Sequence, residues 1–385
     1  MSILVLWARF GAYHLARLRG LAEVAGGVGR GVVGVEVAGQ DHYGWDVCSG
    51  AAGFERRTLF PNQRYGDLEV RKIRLGVLTA LDTTNPDVVA VNGWGVPEAR
   101  AAIGWCRRRG VPAVLMSETK ADDGGAPRRW WKEAVKRRLV ERCDAALVGG
   151  RMQAAYLADL GFSRERIILG YDAVDNDYFA KGATAARADA VRWRAETGLP
   201  KRYFFACTRL LPRKNVDGLL RAYAEYRRRC REVPWDLVIA GSGEEASALF
   251  DLERHLGVHG VHWVGFLQYE QLPIYFGLAS AFVHPAKSEP WGLVVNEAAA
   301  SGLPLLVGRT VGAAYELVGD GDNGILFDAG RDTDITRALL AAGEASAEAR
   351  AAMAERSVAI VAEWSPRRFG EQMMAAVRAA EVVSR

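Results

Sequence analysis

Short apolar runs alternate with longer segments whose apolar positions recur every three to four residues, and the alternation restarts once, past mid-chain. In the first half the runs ILVLW (3–7), GVVGVEV (31–37), VVAVN (88–92), AVLMS (113–117) and AALVG (145–149) predict strands. Helical periodicity predicts helices over 13–24, 97–109, 130–142 and 152–160. The second half repeats the pattern with YFFAC (203–207), LVIAG (237–241), VHWVGF (261–266), SAFVHP (280–285), PLLVG (304–308) and ILF (325–327), and with a helix over 216–229. Strands separated by helices indicate parallel sheets with helices on both faces. The chain is therefore expected to be α/β, with two Rossmann-like doubly wound domains facing a cleft. Residues 1–180 form the first and 201–365 the second. The Ala- and Arg-rich stretch 181–198 has no clear strand, so 181–200 is expected to join them as a link or a linking helix.

Length and composition agree with this. A chain of 385 residues fits two domains. A hydrophobic fraction of 50% and a charged fraction of 25% are those of an ordinary soluble enzyme. The net charge of +4 is too mild to argue for nucleic acid. Cys48, Cys106, Cys143, Cys207 and Cys230 are scattered without a CxxC pair, which fits a reducing cytosol. His255, His259 and His262 are interrupted by Gly257 and Gly260, so a surface loop is expected there and no metal site. The run Ile3 to Trp7 has no basic residue before it and reads as a first strand, not a signal peptide. No segment reaches the ~18 apolar residues that span a bilayer.

Chemistry concentrates in FVHPAKSEPWGLVVNEAAASGLP, residues 282–304. A strand ends at His284-Pro285, a loop carries Glu289, and Gly292 opens a helix holding Glu297. Gly302 and Pro304 stop that helix. Two carboxylates eight residues apart would then face one crevice, beside helix-start amides able to hold phosphate. A sugar nucleotide suits such a site.

The segment EPWGLVVNE, Glu289-x7-Glu297, resembles the signature of retaining GT-B glycosyltransferases of family 4. The resemblance covers nearly the whole chain and is strongest after residue 200. It implies that Glu289 contacts donor sugar hydroxyls, that the amides of Trp291, Gly292 and Leu293 support the phosphates, and that Glu297 binds the ribose diol. It also implies that the last helix, 366–385, crosses back onto the first domain. Arg209 and Lys214 match the family's R-L-x-x-x-K element, although Thr208 and Asn215 stand where glycines are usual. Two fixed cations would offset the charge gained by the leaving diphosphate. Arg213, between them, reads as a solvated basic residue. Gly241-x-Gly243-x-x-Ala246 lies beside the donor nucleotide in this family, and Gly265, Phe266 and Leu267 sit where the base is read by backbone contacts.

The same glycines satisfy a dinucleotide fingerprint, the basis of a distant alternative, a nicotinamide-dependent oxidoreductase. The next strand, however, ends in Gly265-Phe266 and not in an acid. Another GT-B sugar-nucleotide enzyme, such as an epimerase, is a second alternative. On the acceptor side, Gly11 and His14 follow the first strand, and Asn92 and Glu118 end later ones. His14 reads equally as a contact or as a satisfied helix residue. Asp175-Asn-Asp177 spells D-x-D but reads as a turn, and Glu316 in VGAAYE reads either as a donor contact or as a helix residue. The expected reaction moves a sugar from a nucleotide-sugar donor to a glycan, lipid-linked or small-molecule acceptor, with retention. No metal or other cofactor is expected.

One basic stretch stands apart. RRWWKEAVKRRLVER, Arg128 to Arg142, has a net charge of +5. The plainer reading packs Trp131, Val135 and Leu139 on the first domain's sheet and leaves a solvated basic side. The sharper reading is an interfacial patch for anionic lipid, which would place a cytoplasmic enzyme peripherally at the inner membrane face. The patch could also hold an anionic soluble acceptor. Because a packed face is needed in any case, the plainer reading is preferred.

Overall fold

Buried apolar strands build two parallel sheets, one in each half of the chain. The computed structural model describes residues 1–40, 53–121, 123 and 130–383, so Cys48, Arg128 and Arg129 lie outside the described residues. In chain order the first sheet and its helices are β1 (Ser2–Trp7), α1 (Ala12–Gly26), β2 (Gly31–Gln40), β3 (Glu55–Arg64), α2 (Val70–Thr84), β4 (Val88–Asn92) and α3 (Pro97–Arg109). They continue with β5 (Ala113–Ser117), α4 (Trp130–Val140), β6 (Ala145–Val148), α5 (Arg151–Asp159) and β7 (Ile167–Leu169). The strand order is β3-β2-β1-β4-β5-β6-β7.

The second unit opens with α6 (Asn176–Ala188) and α7 (Ala190–Thr197). Next come β8 (Tyr203–Cys207), α8 (Val216–Arg229), β9 (Asp236–Ala240), α9 (Ala246–Leu256), β10 (Val261–Gly265), α10 (Leu272–Leu278) and β11 (Ala281–His284). After them follow α11 (Leu293–Ala300), β12 (Leu305–Gly308), α12 (Ala314–Leu317), β13 (Gly324–Phe327), α13 (Asp332–Glu344) and α14 (Ala347–Ala362). Its strand order is β10-β9-β8-β11-β12-β13. The last helix, α15 (Pro366–Val383), belongs to the first unit: the chain divides into 1–175 with 364–385, and 176–363.

Core strands such as β4, β5 and β8 are buried because helices cover both sheet faces, which is why they read as unbroken apolar runs. Helix α15 buries Phe369, Met373, Val377 and Ala380, spaced at helical period, together with Leu15, Leu18 and Leu21 of α1. Fully burying such a side chain contributes about 1.5–3 kcal/mol. The two helices approach backbone to backbone. A Cβ on Gly20 would stand 2.0 Å from the Pro366 carbonyl oxygen, and one on Gly370 would stand 2.5 Å from that of Gly20.

Several expectations require correction. Residues 181–200 are largely helical, in α6 and α7, and are packed as well as connecting: α6 packs on α10, and Arg187 of α6 donates to the Ser301 carbonyl after α11. His255 ends α9, and His262 lies on β10 with Nε2 2.9 Å from Asp236, so these two are not in a loop. In α4, Trp131 and Val135 are 48% and 49% exposed and face solvent, whereas Leu139, the third residue expected to pack, is half-buried against the first unit's core. Strands β3 and β7 and helix α2 were not expected. Among the described residues, no helix is long and apolar enough to cross a membrane.

Candidate active site

In each sheet the strand order reverses once, between β1 and β4 and between β8 and β11. The loops leaving neighbouring strands at such a point diverge and open a crevice at the carboxyl ends, where ligands of doubly wound sheets bind. In the second unit those loops are 208–215 after β8 and 285–292 after β11. They carry Arg209, Arg213 and Lys214 on one side and Glu289 on the other.

The two loops meet through charge. Lys214 Nζ bonds the Glu289 carboxylate, Arg213 Nη1 lies 3.6 Å from its other oxygen, and His284 Nε2 lies 3.4 Å from Oε2. Arg213 also donates to the Ser288 carbonyl at 3.2 Å, so it belongs to the cluster and is not merely solvated as expected. Burial, then the cations of Arg213 and Arg209, pull the Lys214 ammonium down to about 7, with Cys207 opposing that shift. His284 is buried, and neither ring nitrogen has a hydrogen-bond partner. Burial followed by Lys214 and Arg213 keeps it neutral, well below its ordinary value.

Glu297 lies on α11, whose N-cap Gly292 has φ 99°. Burial pushes the Glu297 carboxyl up to about 8. The Cys207 thiol at the end of β8 is raised by burial and then by Glu297, with Lys214 opposing, so both groups act on one strand end. The Trp291 ring is fully buried and donates to Asn296 Oδ1 at 2.9 Å. The loop is pinned to the VGAAYE segment: Gly312 N–H donates to the Glu289 carbonyl at 3.1 Å and Ala313 N–H to that of Trp291 at 2.9 Å. Glu316 of that segment stands in α12.

The glycine-rich turn has a structural reason. A Cβ on Gly241 would lie 1.8 Å from the Thr208 carbonyl oxygen, and one on Gly243 2.2 Å from that of Leu210. The Leu210 N–H donates to the Ser242 carbonyl at 2.9 Å, and the Glu245 N–H to the Leu210 carbonyl at 3.1 Å. Gly241 and Gly243 therefore seat the cation loop. Gly241 N–H also donates to the Gly265 carbonyl at 2.7 Å, next to half-exposed Phe266 and buried Leu267. Asn215 explains its own departure from glycine. It adopts φ 56°, which Asn tolerates, and its amide donates to the carbonyls of Pro285 at 3.1 Å and Ala329 at 2.8 Å.

At the first unit's strand ends the expected residues are engaged internally. Gly11 N-caps α1, and its N–H donates to His14 Nδ1 at 3.0 Å, so His14 closes the helix end. Asn92 donates to Glu98 at 3.2 Å. Glu118 hydrogen-bonds Asp172, whose pKa burial and then Glu118 push well above the carboxylate range. Arg17 opposes that shift; its Nη2 lies 3.2 Å from Asp172 Oδ1, and its guanidinium stacks 4.6 Å from the Tyr171 ring centre. Sequence reasoning missed Arg17, Asp172 and His284. Asp175 and Asp177 pair with Arg19 and Lys181 at 3.1 and 3.0 Å.

Residues 189–358 match the family described as Glycosyl transferases group 1, and residues 18–170 match the Glycosyl transferase 4-like domain. A D-inositol 3-phosphate glycosyltransferase of Nocardiopsis dassonvillei is 30% identical over 310 residues, covering 75% of this chain and 71% of that protein. The chain belongs to the glycosyltransferase group 1 family. A GDP-mannose-dependent alpha-(1-6)-phosphatidylinositol monomannoside mannosyltransferase of Mycolicibacterium smegmatis is 36% identical over 191 residues, 47% of each chain. The matched region spans about half the length of such curated relatives, 47% and 59% for two of them. Among solved structures, sucrose-phosphate synthase from Thermosynechococcus elongatus superposes with a TM-score of 0.75 at 17% identity, covering 99% of both chains. Anabaena HepE in complex with UDP and glucose superposes with a TM-score of 0.72 at 17% identity, covering 98% of this chain and 100% of that one. The two parallel-sheet domains are those of the GT-B fold.

Proposed function

We propose that this group 1 family member transfers a sugar from a nucleotide-sugar donor to an acceptor hydroxyl, with retention and without a metal ion. The observation that carries the reading is the convergence of Lys214, Arg213, His284 and Glu289 where the second sheet reverses its strand order, with Glu297 on the adjoining helix. A leaving nucleoside diphosphate gains negative charge as the bond from phosphate oxygen to the anomeric carbon breaks. Lys214 and Arg209 are placed to stabilise that charge, an interaction that strengthens toward the transition state. On donor binding Lys214 turns from Glu289 to the phosphates, and Glu289 is released to accept from sugar hydroxyls. Glu297 takes the ribose diol, while Trp291, Gly292 and Leu293 offer main-chain contacts. The acceptor oxygen bonds the anomeric carbon, and its proton passes to the leaving phosphate; no side chain is assigned as a separate base.

The names of the relatives support an acceptor that is a polyol phosphate or a lipid-linked glycan, and a GDP- or UDP-sugar as donor. Gly11, His14, Asn92 and Glu118 are assigned to the acceptor side. The oxidoreductase alternative loses its main support, because Gly241 and Gly243 are needed to seat the loop of Arg209 and Lys214. A thermal-shift screen of UDP-, GDP-, ADP- and TDP-sugars tests the reading, since ligand binding stabilises the folded state. The expected result is stabilisation by one nucleotide series, lost in Glu297→Ala. Stabilisation by NAD or NADP alone would overturn it.

A further inference from the structure

Helix α4 turns its apolar groups outward. Its inner side is formed by Glu133, Lys136, Leu139 and Val140. Lys136 Nζ donates to Glu133 Oε1 at 2.8 Å and to the Tyr156 hydroxyl at 2.7 Å, and that hydroxyl donates to Glu133 Oε2 at 3.0 Å. Val140 is fully buried. At 3.6 residues per turn, the opposite side presents Trp131, Ala134, Val135 and Arg138, and exposed Arg142 stands in the turn just after the helix. Trp130 is 82% exposed, Trp131 48% and Val135 49%. Lys132 and Arg137 flank this stripe, and the Lys132 ammonium lies 5.5 Å from the Trp131 ring centre.

Charge follows the same division. Glu133 is spent on the inner contact with Lys136 and Tyr156, so the outer surface holds four cations, Lys132, Arg137, Arg138 and Arg142, against Glu141 alone. Indoles beside an aliphatic group, ringed by cations, match the layer between acyl chains and anionic headgroups. A second copy of this face would instead set like charges opposite one another across a two-fold axis, which is unfavourable.

We propose that α4 docks on a bilayer carrying anionic phospholipid. Trp130, Trp131 and Val135 enter the headgroup boundary, and Lys132, Arg137, Arg138 and Arg142 meet lipid phosphates. The test is co-sedimentation of the whole chain with phosphatidylcholine vesicles, with and without phosphatidylglycerol, at low and high salt. Binding is expected only to the anionic vesicles and is expected to weaken with salt. Arg138→Ala and Arg142→Ala should each weaken it roughly fivefold, and Trp130→Ser with Trp131→Ser should abolish most of it. These side chains are exposed, so circular dichroism should show unchanged folding. A Val191→Ser control, at an 87% exposed site in the other unit, should bind as the parent does. Absence of salt-sensitive binding to anionic vesicles overturns the proposal. So does unchanged binding by the tryptophan variants, or a concentration-dependent dimer that Trp131→Ser dissociates.

Discussion

The two strand-order reversals hold similar numbers of polar groups and use them in opposite ways. In the first unit the groups answer one another. Arg17 is matched by Asp172, Asp172 by Glu118, Gly11 by His14, and Asn92 by Glu98. In the second unit the demands stay unmet. His284 has two unpartnered ring nitrogens, Lys214 is drawn down to about 7, and Glu297 is raised to about 8. Perturbed groups gathered at a strand-end crevice mark a place where a ligand supplies the missing charge. The contrast supports a second unit that receives a charged molecule, whereas in the first the perturbed groups, Asp172 and His14 among them, are shifted by burial and by neighbours that the fold itself supplies.

The largest effect that could break this contrast is on folding. Asp172→Ala takes from the buried Arg17 guanidinium the acid that it bonds within the Asp172–Glu118 pair, and urea denaturation should show a loss of about 3–5 kcal/mol. Nucleotide affinity of the remaining folded protein should not change. If affinity falls instead, the Arg17–Asp172 pair does more than hold the first unit together. Next in size, Lys214→Ala or Arg209→Ala should lower sugar transfer ~100- to 1000-fold, measured as product formed with saturating donor. On the proposed mechanism activity should persist in EDTA, with these cations in the place of a metal. Strict dependence on added magnesium or manganese would falsify that assignment.

Glu297 sharpens the comparison, because it should trade stability against binding. Glu297→Ala should weaken nucleoside diphosphate binding by about 1.5–3 kcal/mol, read by calorimetry. In the unfolded chain this carboxyl loses its proton near 4.5, and in the folded protein near 8. The folded state therefore holds more protons across that window, and stability falls as pH rises through it. Glu297→Gln removes that fall, so above pH 8 the variant should melt higher than the parent while binding nucleotide less well. A lower melting temperature there would contradict the placement. The smallest effect is a pH dependence. Above about 7 the free protein must take up a proton at Lys214 to meet a diphosphate, so affinity should weaken by up to about tenfold per pH unit. Proton uptake should appear in calorimetry as a dependence on buffer ionisation enthalpy and vanish in Lys214→Ala.

Much of this was readable in the chain, for identifiable reasons. Strands β4, β5 and β8 are buried on both faces, so their residues carry the signal without help from context. Strand β3 escaped because it is an edge strand: ERRTLFPNQR is half solvated and holds Pro61, which sheet edges tolerate. Helix α2 could have been found, since Ile73, Val77, Ala80 and Leu81 keep helical spacing and are its buried residues. In the site, Glu289, Glu297, Arg209 and Lys214 stand in local motifs. His284 reads as an ordinary strand end, and Arg17 and Asp172 are 155 residues apart, so only the fold brings them together. The outward turn of α4 was not legible either, because it depends on Tyr156 of another helix capturing Lys136 and Glu133.

The placement of α15 sets a timetable for synthesis. The ribosome delivers residues 1–175 before the intervening unit and 364–385 after it, yet both belong to one unit. Until α15 emerges, Leu15, Leu18 and Leu21 lack the cover that Phe369, Met373 and Val377 give them. The intervening unit can complete its own sheet in that interval. The part made first is thus finished only after the intervening unit has been made, when α15 closes its hydrophobic face.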